Sequence, residues 1–375
     1  MKREIKNKDL LLFLVRLGIG KSIGSGVEAG AQYALTEDVD WEGVKKLAGQ
    51  QGLSAIAFDG VMKLLKEGVV IPRIVKNQWL SNVLYMFEKR YSNYEAAISS
   101  LAGFYNAHGY KMMLLKGYGL SLNYPVPNHR PCGDIDIWLF GSYKEADAAL
   151  AREMSVKIDN SHHHHTVFDW KGFMVENHYD FLNVHHHVSN KKVEEIFKGA
   201  DFSESSSYMV NGEKVYLPSP TFHALFLLRH SLAHFAATEI TLRHLLDWGF
   251  FVEKHSSAID WSWLLDILKE FKMREFCALM NAICVEDLGF EKEIFPSIPI
   301  DLEENEFKLL KERVLNDIIE PEFGGDEPSL LLPRLLFKFR RWRANGWKHK
   351  LCYRESMFSG FVYGIWNHIL KPSSF

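Results

Sequence analysis

Cysteine is scarce in this chain. Four occur in 375 residues, Cys132, Cys277, Cys284 and Cys352, scattered without the close spacing of metal ligands. A reducing compartment is the simpler expectation. Long apolar runs are missing too. No stretch of about 18 uncharged apolar residues exists, so no membrane-spanning segment is expected. The early run LLLFLV is too short for a signal sequence with a cleavage site, and Arg16 interrupts its continuation. The expected location is cytoplasmic. A strong charge of one sign is likewise absent. The net charge is −3, which argues against a dedicated nucleic-acid binder. Its distribution is uneven, however: from Arg334 onward there are nine Lys/Arg against one acidic residue, Glu355. With 47% hydrophobic and 24% charged residues, the composition is that of an ordinary globular protein with core enough for two or three packed units.

The informative stretch is KMMLLKGYGLSLNYPVPNHRPCGDIDIWLF, residues 111–140. Met112 to Leu115 is a short apolar run that Lys116-Gly117 breaks. About two helical turns follow, and Pro125 and Pro127 stop them. Then comes Gly133-Asp134-Ile135-Asp136-Ile137-Trp138-Leu139. In a strand, alternate side chains share a face, so Ile135, Ile137 and Leu139 form a core face and Asp134 and Asp136 stand together opposite. Two carboxylates about 7 Å apart repel unless a cation, a proton or solvent separates them. A solvated edge strand is the bland explanation. A glycine turn leading into a helix, which offers N–H groups to phosphate, next to a strand carrying metal ligands is the sharper one.

That order of parts resembles the polymerase-beta-like nucleotidyltransferase superfamily. More closely it is similar to the bacterial uncharacterised nucleotidyltransferase family, matched here by Lys116, Gly117, Tyr124, Pro125, Arg130, Gly133, Asp134 and Asp136. Tyr118 departs from the superfamily, where Gly or Ser is usual, and the gap to Asp134 is slightly long. The resemblance implies an α+β fold, with a nucleotidyltransferase core of a small mixed sheet and helices at 101–217. Helical regions at 1–100 and 218–375 would flank it. It further implies Mg²⁺ (or Mn²⁺) on Asp134, Asp136 and a third carboxylate, and a nucleoside triphosphate as donor. Lys116, Gly117 and Arg130 would hold its phosphates, although Arg130 could instead anchor the proline loop.

The third carboxylate is expected in HHHHTVFDW-KG-FMVENHYDFLNVHHH. Lys171-Gly172 reads as a two-residue hairpin turn. Glu176, His178 and Asp180 then share one face of the second arm, with Val167 opposite Glu176 and His165 opposite His178. In the resembled family an acidic residue followed two positions later by His occupies this strand, which assigns Glu176. His165 and His178 are candidate residues at the site rim. Eight of the 17 histidines lie between 162 and 187. Consecutive histidines on a strand face opposite ways, so a dedicated metal site within the runs is not expected.

Before the core, the chain reads as helices. Gly18-Ile19-Gly20-Lys21-Ser22 is no phosphate loop, because Val15 stands where its first glycine belongs. Asn211-Gly212 turns an edge hairpin. A helical run from Pro220 carries His223, Arg229, His230 and His234, then Arg243 and Asp247 four apart, expected as a structural or supporting pair. The resemblance continues here. The basic-aromatic stretch 331–356 reads first as a terminal helix neutralising an acidic body, and second as a binder of a phosphate backbone, an acidic carrier or a membrane surface. The expected function is metal-dependent transfer of a nucleoside monophosphate to an unknown small-molecule or protein acceptor. The alternative is a catalytically weak nucleotide-binding regulatory protein, motivated by Tyr118. A histidine-built hydrolase is a third reading.

Overall fold

The computed structural model describes residues 2–22, 28–36, 39–185, 187–323 and 328–358. His186 of the second histidine run, part of the loop before the last helices and the end of the 218–375 region lie outside them. A six-stranded mixed sheet sits among many helices. Its strands are β1 (Met113–Leu114), β2 (Ile135–Trp138), β3 (His165–Trp170), β4 (Phe173–His178), β5 (Ser206–Val210) and β6 (Glu213–Leu217), in the order β3-β4-β2-β1-β6-β5. β1 runs antiparallel to β2 and parallel to β6, and β2 runs parallel to β4. The two hairpins turn where expected. Lys171 and Gly172 have φ of 54° and 81°, and Asn211 and Gly212 of 47° and 89°. Positive φ at both central residues is what a tight two-residue turn requires.

The strand alternation sorts the sheet's faces. Ile135, Ile137, Phe173 and Val175 pack with Tyr94, Ala97, Ile98 and Leu101 of helix Arg90–Ala107, and with Ala146 and Leu150 of helix Tyr143–Met154. Asp136, Glu176 and His178 occupy the alternate positions and face away from that core.

A second core runs from Leu10 to Tyr353 and joins helices from both ends of the chain. Helix Lys2–Gly18 lies close against helix Ser54–Lys66; a Cβ on Gly60 would come within 2.1 Å of the Leu14 carbonyl oxygen, so only glycine permits that approach. Helix Pro220–Ala237 is tied to the sheet where His223 Nε2 donates to the Leu115 carbonyl at 2.9 Å. This bond sets the helix beside the Lys116-Gly117 turn. Among the described residues, no helix is long and apolar enough to cross a membrane.

Candidate active site

The parallel pairing of β2 and β4 puts Asp136 opposite Glu176 and Trp138 opposite His178. The antiparallel pairing of β3 and β4 puts His165 opposite His178 and Val167 opposite Glu176, the register the Lys171-Gly172 turn predicts. Lys116, at the end of β1, closes the group. Its Nζ lies 2.8 Å from Asp136 Oδ1. His178 Nε2 is 3.2 Å from the same oxygen and 3.5 Å from Glu176 Oε2, and His165 Nε2 is 3.9 Å from Glu176 Oε1.

The electrostatics follow from this packing. Burial pushes the Asp136 carboxyl up, but Lys116 and His178 outweigh it and hold it well below the usual carboxylate range. Glu176 is held low in the same way, with the His178 hydrogen bond the first counter to burial. The partners move oppositely. Burial would lower His178, yet its bonds to Asp136 and Glu176 raise it to about 9. Lys116 is lowered by burial and raised on balance by Asp136 and Glu176. His165 falls to about 4, chiefly through burial. Asp134, half-exposed at the start of β2, is raised by burial and then by the Asp136 charge.

The Lys116-Gly117 turn is shaped by one contact. Tyr94 Oη donates to the Asp134 carbonyl at 2.6 Å, and a Cβ on Gly117 would come within 2.4 Å of that hydroxyl. Gly117 also has φ of +58°. Glycine there lets Tyr94 reach under the turn and hold the backbone of Asp134. The helix after it is shorter than predicted, a single turn at Tyr118–Ser121, because Gly119 and Ser121 donate back to Lys116 and Gly117 and Asn123 and Tyr124 are already in turns. It has little helix dipole to offer a phosphate. Tyr118 is buried, and its hydroxyl donates to Glu95 at 2.9 Å.

Arg130 borders the same small cavity as Gly117, Asp134 and Asp136, with its guanidinium engaged by protein groups. Its Nε and Nη2 donate to the two oxygens of Asp247 at 2.7 and 2.9 Å, and Nη1 to the Pro131 carbonyl at 3.2 Å. Tyr124 Oη adds a bond to Asp247 at 2.7 Å. A planar guanidinium matched to both carboxylate oxygens suits an anchor of the proline loop at the cavity wall. The expected Arg243–Asp247 pair acts through charge alone: burial pushes the Asp247 carboxyl up, and Arg130 first and Arg243 after it hold it low. Arg243 makes no hydrogen bond or salt bridge among the described residues.

Two cavities meet at the site. The smaller, about 180 Å³, is lined by Gly117, Asp134, Asp136, Arg243 and His244 among others. The larger, about 720 Å³, is lined by Glu176, His165, His178, Lys338, Arg341 and Trp342 among others. Lys116, Asp134, His230 and His234 border both. His230 is held well below its ordinary value by burial and then by Lys116, so its ring is neutral and its Nε2 accepts from Lys116 Nζ at 3.4 Å.

The chain belongs to the uncharacterised nucleotidyltransferase family. That family's sequence profile matches residues 37–289, more than half of the chain. Neither a curated protein nor a solved structure matches. Membership carries a general nucleotidyltransferase role and a nucleoside triphosphate as substrate.

The donor set fits a divalent cation of that chemistry. Ligating atoms of Asp136, Glu176 and His178 all lie within 4.8 Å of one another. Carboxylate oxygens suit Mg²⁺ or Mn²⁺, whereas an imidazole nitrogen suits Zn²⁺ and its neighbours. His164, His165 and His178 form a second such group, which sequence alternation argued against. The reason is local: β3 begins at His165, so His164 lies outside the strand and is free of its alternation. Sequence reasoning named Lys116, Gly117, Asp134, Asp136, Glu176, His165 and His178, and the fold gathers them. It missed Arg243 as a cavity cation and the face of the last long helix.

Proposed function

We propose that the chain transfers a nucleoside monophosphate from a nucleoside triphosphate to an acceptor in a divalent-metal-dependent reaction. The observation that carries this is the convergence of Asp136, Glu176 and His178 on one point, with Lys116 Nζ 2.8 Å from Asp136. Asp134 and Asp136 would hold Mg²⁺ or Mn²⁺, with Glu176 at hand as a third ligand or as the general base. When bound, the cation neutralises charge on the phosphoryl oxygens.

The protein's own groups do the rest. Lys116 and the Gly117 turn hold the phosphates at the junction of the two cavities. Arg243, on the wall of the smaller cavity and without a hydrogen bond to a carboxylate among the described residues, adds a cation beside Arg130, which Asp247 holds. The acceptor oxygen attacks the α-phosphorus, the bond from that phosphorus to the bridging oxygen breaks, and pyrophosphate leaves. Glu176 takes the acceptor's proton. Catalysis of this kind is positioning and charge neutralisation.

One observation favours the second reading, a catalytically weak nucleotide-binding regulatory protein. The helix after Gly117 is one turn long and Tyr118 is buried against Glu95, so the usual backbone grip on phosphate is reduced. Label transfer separates the two. With α-labelled nucleoside triphosphate, Mg²⁺ and a small-molecule extract, the wild type is expected to label an acceptor and Asp136→Asn to label none. Equal labelling by both would sink the proposal.

A further inference from the structure

We propose that the larger cavity is the acceptor site and takes an organic anion with an apolar body, read by the basic-aromatic face of helix Leu331–Ala344. This rests on the transfer reading above. The two cavities have different chemistry. Gly117, Asp136 and Arg243 open only into the smaller, whereas Glu176 opens only into the larger. A base must touch the group whose proton it takes. The acceptor therefore approaches from the Glu176 side and the triphosphate from the Gly117 side, meeting at Lys116 and Asp134. At about 720 Å³ the larger cavity holds a whole small molecule, whereas the smaller, at about 180 Å³, has room only for the donor's phosphates.

The class of acceptor follows from the walls. Lys338, Arg341, Trp342 and Asn345 recur at helical spacing on one face, and all four line the cavity. Ala233, Ala236 and Ala237 of helix Pro220–Ala237 form an apolar floor, with Phe181 and Leu182 beside it. Two cations and an indole over an apolar floor suit an anionic group on an apolar or aromatic body. The anion lies against the helix, so the far end of the molecule, carrying the hydroxyl, meets Glu176. That hydroxyl oxygen bonds to the α-phosphorus as pyrophosphate departs, and its proton passes to the Glu176 carboxylate.

This wall is fixed to the body. Lys348 Nζ lies 2.5 Å from Asp317 Oδ2 in a pair with both side chains buried. Asn345 Nδ2 donates to the Ala237 carbonyl at 3.1 Å, and the Ser189 N–H donates to Glu355 at 2.7 Å. The wall also lies beyond residues 37–289, the part the family profile matches. The donor side thus sits within residues 37–289 and the basic wall of the larger cavity beyond them.

The test uses two fluorescent probes on the full chain, anilinonaphthalene sulfonate and its uncharged relative phenylnaphthylamine, with and without ATP and Mg²⁺. The wild type should prefer the sulfonate. Lys338→Gln/Arg341→Gln should weaken the sulfonate about tenfold and leave the uncharged probe unchanged. The exchange Lys338→Arg/Arg341→Lys keeps both charges and should retain sulfonate binding. ATP with Mg²⁺ should not displace the probe. Equal sulfonate affinity in wild type and the Gln variant overturns the anion site, and competitive displacement by ATP makes the cavity the nucleoside's. Charge-dependent sulfonate binding by a chain whose melting point no triphosphate moves would sink the transfer reading and the acceptor role with it, leaving a bare anion site.

Discussion

Arg130 and Asp247 lie 117 residues apart in sequence and meet as a buried bidentate pair, guanidinium nitrogens at 2.7 and 2.9 Å from the two carboxylate oxygens. The contact fastens the proline loop that ends at the Asp134–Asp136 strand to helix Leu242–His255. It also leaves Arg243, one turn earlier on that helix, to face the smaller cavity.

The two arginines are therefore predicted to fail differently. Arg130→Ala strands a buried carboxylate and should cost about 3–5 kcal/mol of stability. Arg243→Gln should cost under about 1 kcal/mol while weakening nucleoside triphosphate binding about tenfold. Urea unfolding and nucleotide titration of both variants check this. Comparable stability loss in the two would contradict the division of roles.

Gly117→Ala should cost about 1–3 kcal/mol through its positive φ and also abolish metal-dependent nucleotide binding, because the new Cβ meets Tyr94 Oη. Removing that hydroxyl relieves the clash but not the strain. In a double-mutant cycle, Gly117→Ala with Tyr94→Phe should be less damaging than the sum of the two single changes. Simple additivity would show that Tyr94 does not shape the turn.

His129 offers a pH signature well away from the carboxylate cluster. Its Nδ1 lies 2.7 Å from Asp59 and its Nε2 3.4 Å from Glu88, tying the proline loop to the N-terminal helices. Burial lowers its pKa, but these two bonds raise it above 6.5 on balance. A raised folded value means the bridge's stabilisation is full below 6.5 and fades as pH rises through the folded pKa. The melting-point loss in His129→Gln should thus be larger at pH 6 than at pH 9. Equal losses would mean the charge contributes nothing.

Much of the site was legible because strands have a period of two. That period, with one identifiable turn, was enough to place Glu176 and His178 on a shared face and His165 opposite His178. The same period paired Asp134 with Asp136, and the family resemblance added Lys116 and the carboxylate role of Glu176. What stayed hidden depends on contacts between distant segments. Nothing local to Arg130 announces Asp247, and Arg243 and Asp247, four apart on one helix, read more naturally as a pair. The stretch 331–356 showed its composition but not its direction. That Lys338 and Arg341 line the larger cavity follows from how helix Leu331–Ala344 lies against the rest of the fold, which no local pattern announces.

The central claim is that Asp134 and Asp136 bind a nucleoside triphosphate through a divalent metal, and thermal melting tests it most directly. Wild type and Asp134→Asn/Asp136→Asn would be melted with ATP, CTP, GTP or UTP, with and without Mg²⁺ or Mn²⁺. A ligand that binds only the native state raises the melting point by mass action. The account predicts a metal-dependent rise with at least one nucleotide in the wild type and none in the variant. A folded wild type that shows no rise with any nucleotide, or a rise the variant keeps, would contradict it.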